Sequence, residues 1–117
     1  MGKTTVYHVV YNDCQGEFSL SREALQWLSE RGVSRAHDIL LEVQEKPGVR
    51  IDEAMIGLER HSALLVLCVS ELGSERSSGH HSFLRVRSIN TNRYTIRNVG
   101  GIETVLTPRE VSWVQID

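Results

Sequence analysis

The spacing of apolar residues changes once along this chain, and that change limits the folds open to it. After the polar stretch Ser74-Glu75-Arg76-Ser77-Ser78-Gly79-His80-His81 the apolar period becomes two. Phe83 to Ile89 sets Leu84 and Val86 against Arg85 and Arg87, and Arg93 to Val99 sets Tyr94 and Ile96 against Thr95 and Arg97. Successive side chains of a strand point to opposite faces, so this alternation predicts strands. Ile102 to Leu106 reads as a further strand. Gly100-Gly101 before it predicts a hairpin turn, because glycine tolerates the positive φ angles such a turn needs. Pro108 ends that strand, and Val111 to Ile116 forms a short terminal segment holding Trp113.

Before the switch, helical signals dominate. Ser21 suits an N-cap, because its hydroxyl can accept from an otherwise unpaired backbone N–H. Leu20 and Leu25 are placed as a hydrophobic staple, and Ala24, Leu25, Trp27 and Leu28 give an apolar face closed by Arg31-Gly32. Ser62 can cap a second helix over Ala63 to Leu72, ending at Gly73. That helix is apolar nearly all round through Val69, which predicts a central, buried position. One strand precedes both helices, over residues 5–11, where β-branched and aromatic residues dominate. Residues 33–60 are open: Ala36 to Val43 fits a strand or a short helix capped near Ser34. Pro47-Gly48 marks a turn, and Asp52 to Arg60 suits a loop with a short ordered piece. The expectation is one α+β domain over residues 1–117. It would hold an antiparallel sheet of three to five strands, ending in a meander, with two helices packed on one face.

Composition narrows the setting. The 117 residues suit one domain, and 40% hydrophobic with 24% charged residues is ordinary for a globular protein. The two cysteines, Cys14 and Cys68, form no CxxC pair, which points to a reducing, cytoplasmic setting without disulfides. The first residues have no apolar core for secretion, and Val6 stands where a myristoylation signal wants Ser or Thr. The run Ala63 to Val69 is far short of the ~20 residues a membrane helix needs. Net charge is −2, but it is unevenly spread. Residues 1–75 hold seven Lys or Arg against twelve acids, and residues 76–109 hold six Arg against Glu103 alone. Such an imbalance either steers a polyanion or lets two halves of one domain complement each other.

Three pieces of sequence carry a resemblance. They are Tyr11-Asn12-Asp13-Cys14 before Gly16, Phe18, Ser19, Leu20 and Ser21; Leu64-Leu65 with Val69-Ser70-Glu71-Leu72-Gly73 and Gly79; and Tyr94-Thr95-Ile96 before Gly101-Ile102-Glu103-Thr104-Val105, with Trp113 near the end. Together they resemble a family of small uncharacterised proteins of large DNA viruses, phages and some protists. That family runs YNDCxGGFxLS, a VxELG helix and a GxExV strand. This chain departs from it at Glu17, where the family has a second Gly, and at Ser70-Glu71, where an acid pair is common. The resemblance implies a compact fold and no particular activity.

Among individual residues, Cys14 lies in a turn between a strand and a helix, where a thiol can become a nucleophile, but the leading reading is a structural turn residue. Asp13 fits a general acid/base or an Asx turn, and His61 is one of five histidines that folding could bring to Cys14. His80-His81, with His61, invites a metal reading, but adjacent residues of an extended chain point apart, so no metal is expected. Phe83, Arg85 and Arg87 share one strand face, which Arg97 could join from a neighbouring strand. Arginines beside an aromatic on a sheet suit single-stranded nucleic acid, or a solvated face turned to a protein partner. Phosphate-loop, dinucleotide and serine-hydrolase signatures are absent from the sequence, and no cofactor is expected. The leading expectation is a non-enzymatic interaction module with an unidentified protein partner or a second copy, joined through an open sheet edge. A nucleic-acid accessory protein on the Arg face and a small enzyme using Cys14 stand beside it.

Overall fold

The computed structural model describes residues 5–43 and 49–111. The expected Pro47-Gly48 turn, the first four residues and the terminal segment with Trp113 lie outside them. In order, the elements are β1 (Tyr7–Asn12), α1 (Arg22–Glu30), α2 (Ser34–Val43), α3 (Glu53–Ile56), α4 (Ala63–Ser77), β2 (Leu84–Ile89), β3 (Thr95–Val99) and β4 (Ile102–Leu106). The α+β expectation holds, with all strand pairing antiparallel.

The helix signals act as their chemistry requires. Ser21 caps α1, its Oγ accepting from the Ala24 N–H at 2.9 Å. The open stretch 34–43 is a helix whose Ala36, Ile39, Leu40 and Val43 are buried, a spacing that puts them on one face. Asp52 caps the short α3, its carboxylate accepting from the Met55 N–H. In α4 the backbone breaks at Gly73 (φ 83°), where the sequence places the helix end, but one more turn follows through Ser77. Leu65, Cys68 and Val69 of α4 are buried while Leu67 is 45% exposed, so the helix is not enclosed on all sides. Leu67 instead borders the groove that α4 shares with Val6, Tyr7 and His8.

The strands depart from the expected meander. β2 pairs with β1, and β3 pairs with β4 as a separate ribbon; β2 and β3 do not pair. The residues after Ile89 carry the chain across the β1–β2 ribbon instead of back along it. This gives three layers. Helices α1, α2 and α4 form the first, with Val10 and Leu84 of the ribbon in their core. The ribbon is the second layer. The β3–β4 hairpin is the third, with Val105 packed on Val9 and Ile89. Val9 and Val10 therefore face opposite cores, so the strand shows consecutive apolar residues where alternation would mark a solvent face. Gly100 and Gly101 take positive φ, 62° and 93°, and close the hairpin as expected.

The layers also use the uneven charge. Arg76 pairs with Glu23 at 2.6 Å and Arg85 with Asp13 at 2.9 Å, joining later arginines to earlier acids. Both cysteines are free, and no helix of the described residues is long and apolar enough to cross a membrane.

Cys68 lies at the centre of the helical core, and burial pushes its thiol up to about 12 from an ordinary 9.0. The unfolded chain therefore loses this proton first as pH rises, and stability falls across the window from about 9 to about 12. Urea unfolding through that window should show the decline, and Cys68→Ala should flatten it.

Candidate functional site

At the C-terminal end of β1, Asn12 is fully buried and every polar atom of its side chain is used. Its Nδ2 donates to the carbonyls of Cys14 (3.0 Å) and Gly101 (2.9 Å), and its Oδ1 accepts from the Phe83 N–H at 2.8 Å. An aspartate here would turn a carboxylate toward two carbonyls, so the amide is required. The Asn12 N–H in turn donates to Glu103 Oε1 at 2.7 Å. Glu103 is 5% exposed and receives Arg60 as a two-pronged pair, 2.6 Å to Oε1 and 2.9 Å to Oε2. Burial alone would lower the Arg60 pKa, but its bonds to Glu103 and its ion pair with Glu53 outweigh that and raise it above the usual arginine value. The Arg60 guanidinium also lies 3.7 Å over the Phe18 ring. Its Nε sits 3.0 Å from Glu53 without hydrogen-bond alignment. Gly16 and Gly101 touch backbone to backbone: a side-chain carbon at Gly101 would overlap the Gly16 carbonyl.

This clasp absorbs the turn that the sequence singles out. Cys14 is half-buried, and its Sγ donates to Asn12 Oδ1 (3.5 Å) and to the His81 carbonyl (3.4 Å). Asp13 is exposed and bound to Arg85. His61 is not near them. It lines a groove with Val6, Tyr7 and His8, toward the N-terminal part of β1. Among the described residues neither Cys14 nor Asp13 bonds to His61, whose partners are Glu59 and Tyr94.

The Arg face is also divided. Arg87 donates to the Val105 carbonyl and pairs with Glu110 at 2.7 Å, which places it against the hairpin and holds the Glu110 carboxyl below its usual range. Arg85 is taken by Asp13, which raises its pKa. Arg97 lies on β3 opposite Thr104, and because β2 and β3 do not pair it does not extend the row of Arg85 and Arg87. Phe83 is 37% exposed beside that row. The rings of His80 and His81 lie tilted against each other with centroids 3.8 Å apart, and no metal-holding cluster of His, Cys, Asp and Glu occurs among the described residues.

Two features at the other end of β1 are less visible in sequence. One is a hydrogen-bonded row: Glu59 Oε2 lies 2.9 Å from His61 Nε2, and His61 Nδ1 lies 2.8 Å from the Tyr94 hydroxyl. Burial first, and the Glu59 charge second, raise the Tyr94 pKa, so its phenol stays protonated. The other is the groove itself, lined by Val6, Tyr7, His8, His61, Ala63, Val66, Leu67 and Ser70. It runs along an edge of β1 that is partly open. Asp13 N–H bonds the Phe83 carbonyl, so odd-numbered residues face β2 and even-numbered ones face outward. The outward groups of Val10 are taken by Arg60 and the outward N–H of Asn12 by Glu103. Those of Val6 and His8 have no partner among the described residues. Only Tyr94's place in the alternation hints at the row, since Glu59 and His61 lie in a stretch without period.

No protein-family model matches this chain, and no curated protein or solved structure matches it either.

Glu103→Gln should cost about 3–5 kcal/mol, because it leaves the Arg60 charge buried without its partner. In urea unfolding, the double variant Arg60→Met with Glu103→Leu should lose less than the two single variants added together. Iodoacetamide should modify Cys14 in the folded protein, and mass spectrometry should find Cys68 unmodified until the chain unfolds.

Proposed function

We propose that this protein is a non-enzymatic interaction module that takes a short, extended, uncharged peptide segment along the open edge of β1. One observation carries the reading. The outward main-chain groups of Val6 and His8 border a groove of about 440 Å³ whose lining holds no Lys, Arg, Asp or Glu. A strand added to a sheet edge gains affinity from main-chain hydrogen bonds and specificity from alternate side chains. Val6 is 54% exposed, Tyr7 38% and Leu67 45%, so the apolar side chains of a ligand would find partners here. The edge carries none of the Lys or Pro residues that commonly guard such strands.

The length of the site favours a peptide over a second copy of the chain. Arg60 and Glu103 occupy the edge from Val10 onward, which leaves room for only a few residues. Eight lining residues fall well below the roughly 20–30 per side of a stable dimer. The nucleic-acid alternative would need Arg85 and Arg87 to leave Asp13 and Glu110. The enzyme alternative would need Cys14 and His61 at one place.

The test is selection of peptides from a random display library on the immobilised full chain, followed by calorimetry with the synthetic peptides. Selected sequences should alternate apolar residues and bind with micromolar affinity. His8→Pro removes an outward N–H that β2 does not use, so the ribbon should persist while binding weakens about tenfold. Leu67→Asp should weaken it similarly. Peptides rich in charge, or binding indifferent to both variants, would overturn the reading. So would a light-scattering mass of two chains at working concentration, since that assigns the edge to a second copy.

A further inference from the structure

Beside the groove, and sharing Tyr7 and His61 with it, lies a smaller cavity of about 180 Å³. Val9, Ile89, Thr91, Asn92 and Tyr94 complete its wall. An engineered apolar cavity of roughly 150 Å³ is large enough to bind benzene, so this one has room for a single ring. No charged side chain lines it.

The wall is mostly apolar, and two of its polar side chains, His61 and Tyr94, are joined in one hydrogen-bonded row. With His61 neutral and its Nε2–H donating to the Glu59 carboxylate 2.9 Å away, Nδ1 is left as an acceptor. The Tyr94 hydroxyl then donates to Nδ1, and its oxygen is left able to accept. A ligand adding to this row at neutral pH must therefore be a donor. Hydrogen bonds in such a row polarise one another and strengthen the whole.

We propose that this cavity is a binding site for small hydroxylated single-ring aromatics, the ligand hydroxyl donating to Tyr94 and so extending the row Tyr94, His61, Glu59. The assignment does not rest on the peptide reading, because it uses the Tyr94 hydroxyl and the cavity wall and not the main-chain groups of Val6 and His8. A phenol can also arrive as the tyrosine side chain of a peptide, and the chemistry at Tyr94 is the same.

The experiment is an NMR titration of the labelled full chain with phenol, anisole, toluene and N-acetyl-tyrosine methylamide. Phenol should give saturable shifts at Val9, Ile89, Thr91 and Asn92, and should bind about threefold to tenfold more tightly than anisole near pH 8. Tyr94→Phe keeps the ring and should remove the preference for phenol while leaving toluene unchanged. Thr91→Phe, at the partly exposed wall, should block all the ligands in a protein that remains folded. Tighter binding of the tyrosine derivative, with shifts reaching Val6 and Leu67, identifies a peptide as the source. Its exclusion identifies a free phenol. Absence of saturable shifts with phenol, equal affinity for phenol and toluene, or a phenol preference unchanged in Tyr94→Phe would each overturn the proposal.

Discussion

The buried pair of Arg60 and Glu103 holds the three layers in register. Arg60 belongs to the connection between α3 and α4, and Glu103 to the hairpin; both reach β1, one through the Val10 main chain and the other through the Asn12 N–H. Removing two charges from water is expensive, and the cost is recovered only where geometry is good and remaining polar atoms are satisfied. Here Glu103 accepts from both prongs of the guanidinium and from Asn12. The consequence is specificity more than strength. A hairpin shifted by one residue along β1 would leave a carboxylate and a guanidinium buried without partners, and that alternative is excluded by several kcal/mol, on the order of what breaking such a pair costs.

The clasp also gives a physical account of residues that stand out in the sequence. Asn12, Cys14, Gly16, Phe18, Gly101 and Glu103 all contribute to one structural knot. Asn12 bonds the Cys14 and Gly101 carbonyls, Gly16 lies against Gly101, and Phe18 lies under Arg60. A pattern of polar residues and glycines around a cysteine reads readily as chemistry. Here the same residue types are needed because three backbone segments approach too closely for side chains, and their carbonyls need donors.

Local features were legible in the sequence because local physics decides them. The Ser21 cap, the apolar face of α1, the break at Gly73 and the Gly100-Gly101 turn each depend on a few neighbouring residues. The α+β class followed from the change of period. Strand partnership did not, because alternation reports which faces a strand has and not which strand lies beside it. Thus Leu84 to Ile89 was readable as a strand, while its pairing with Tyr7–Asn12 was not. The Arg residues show the same limit. Their face is a matter of period, but their partners, Asp13 and Glu110, are a matter of tertiary packing. His61 appeared as a candidate by residue type, and its partner Tyr94 lies 33 residues on with nothing local to connect them.

The distance along the chain between the parts of the clasp bears on how the protein forms. Asn12 meets Glu103 across 91 residues, and β1 finds its partner only in the last third of the chain. During synthesis the helices can gather around α1 and α4 early, but β1 must wait, with Val9 and Val10 uncovered, until β2 and the hairpin have left the ribosome. Pairings this distant slow folding and lengthen the exposure of unpaired edges. β1 is therefore made well before it can be placed, and the emerging chain passes through a stage in which two apolar faces of one strand lie uncovered together.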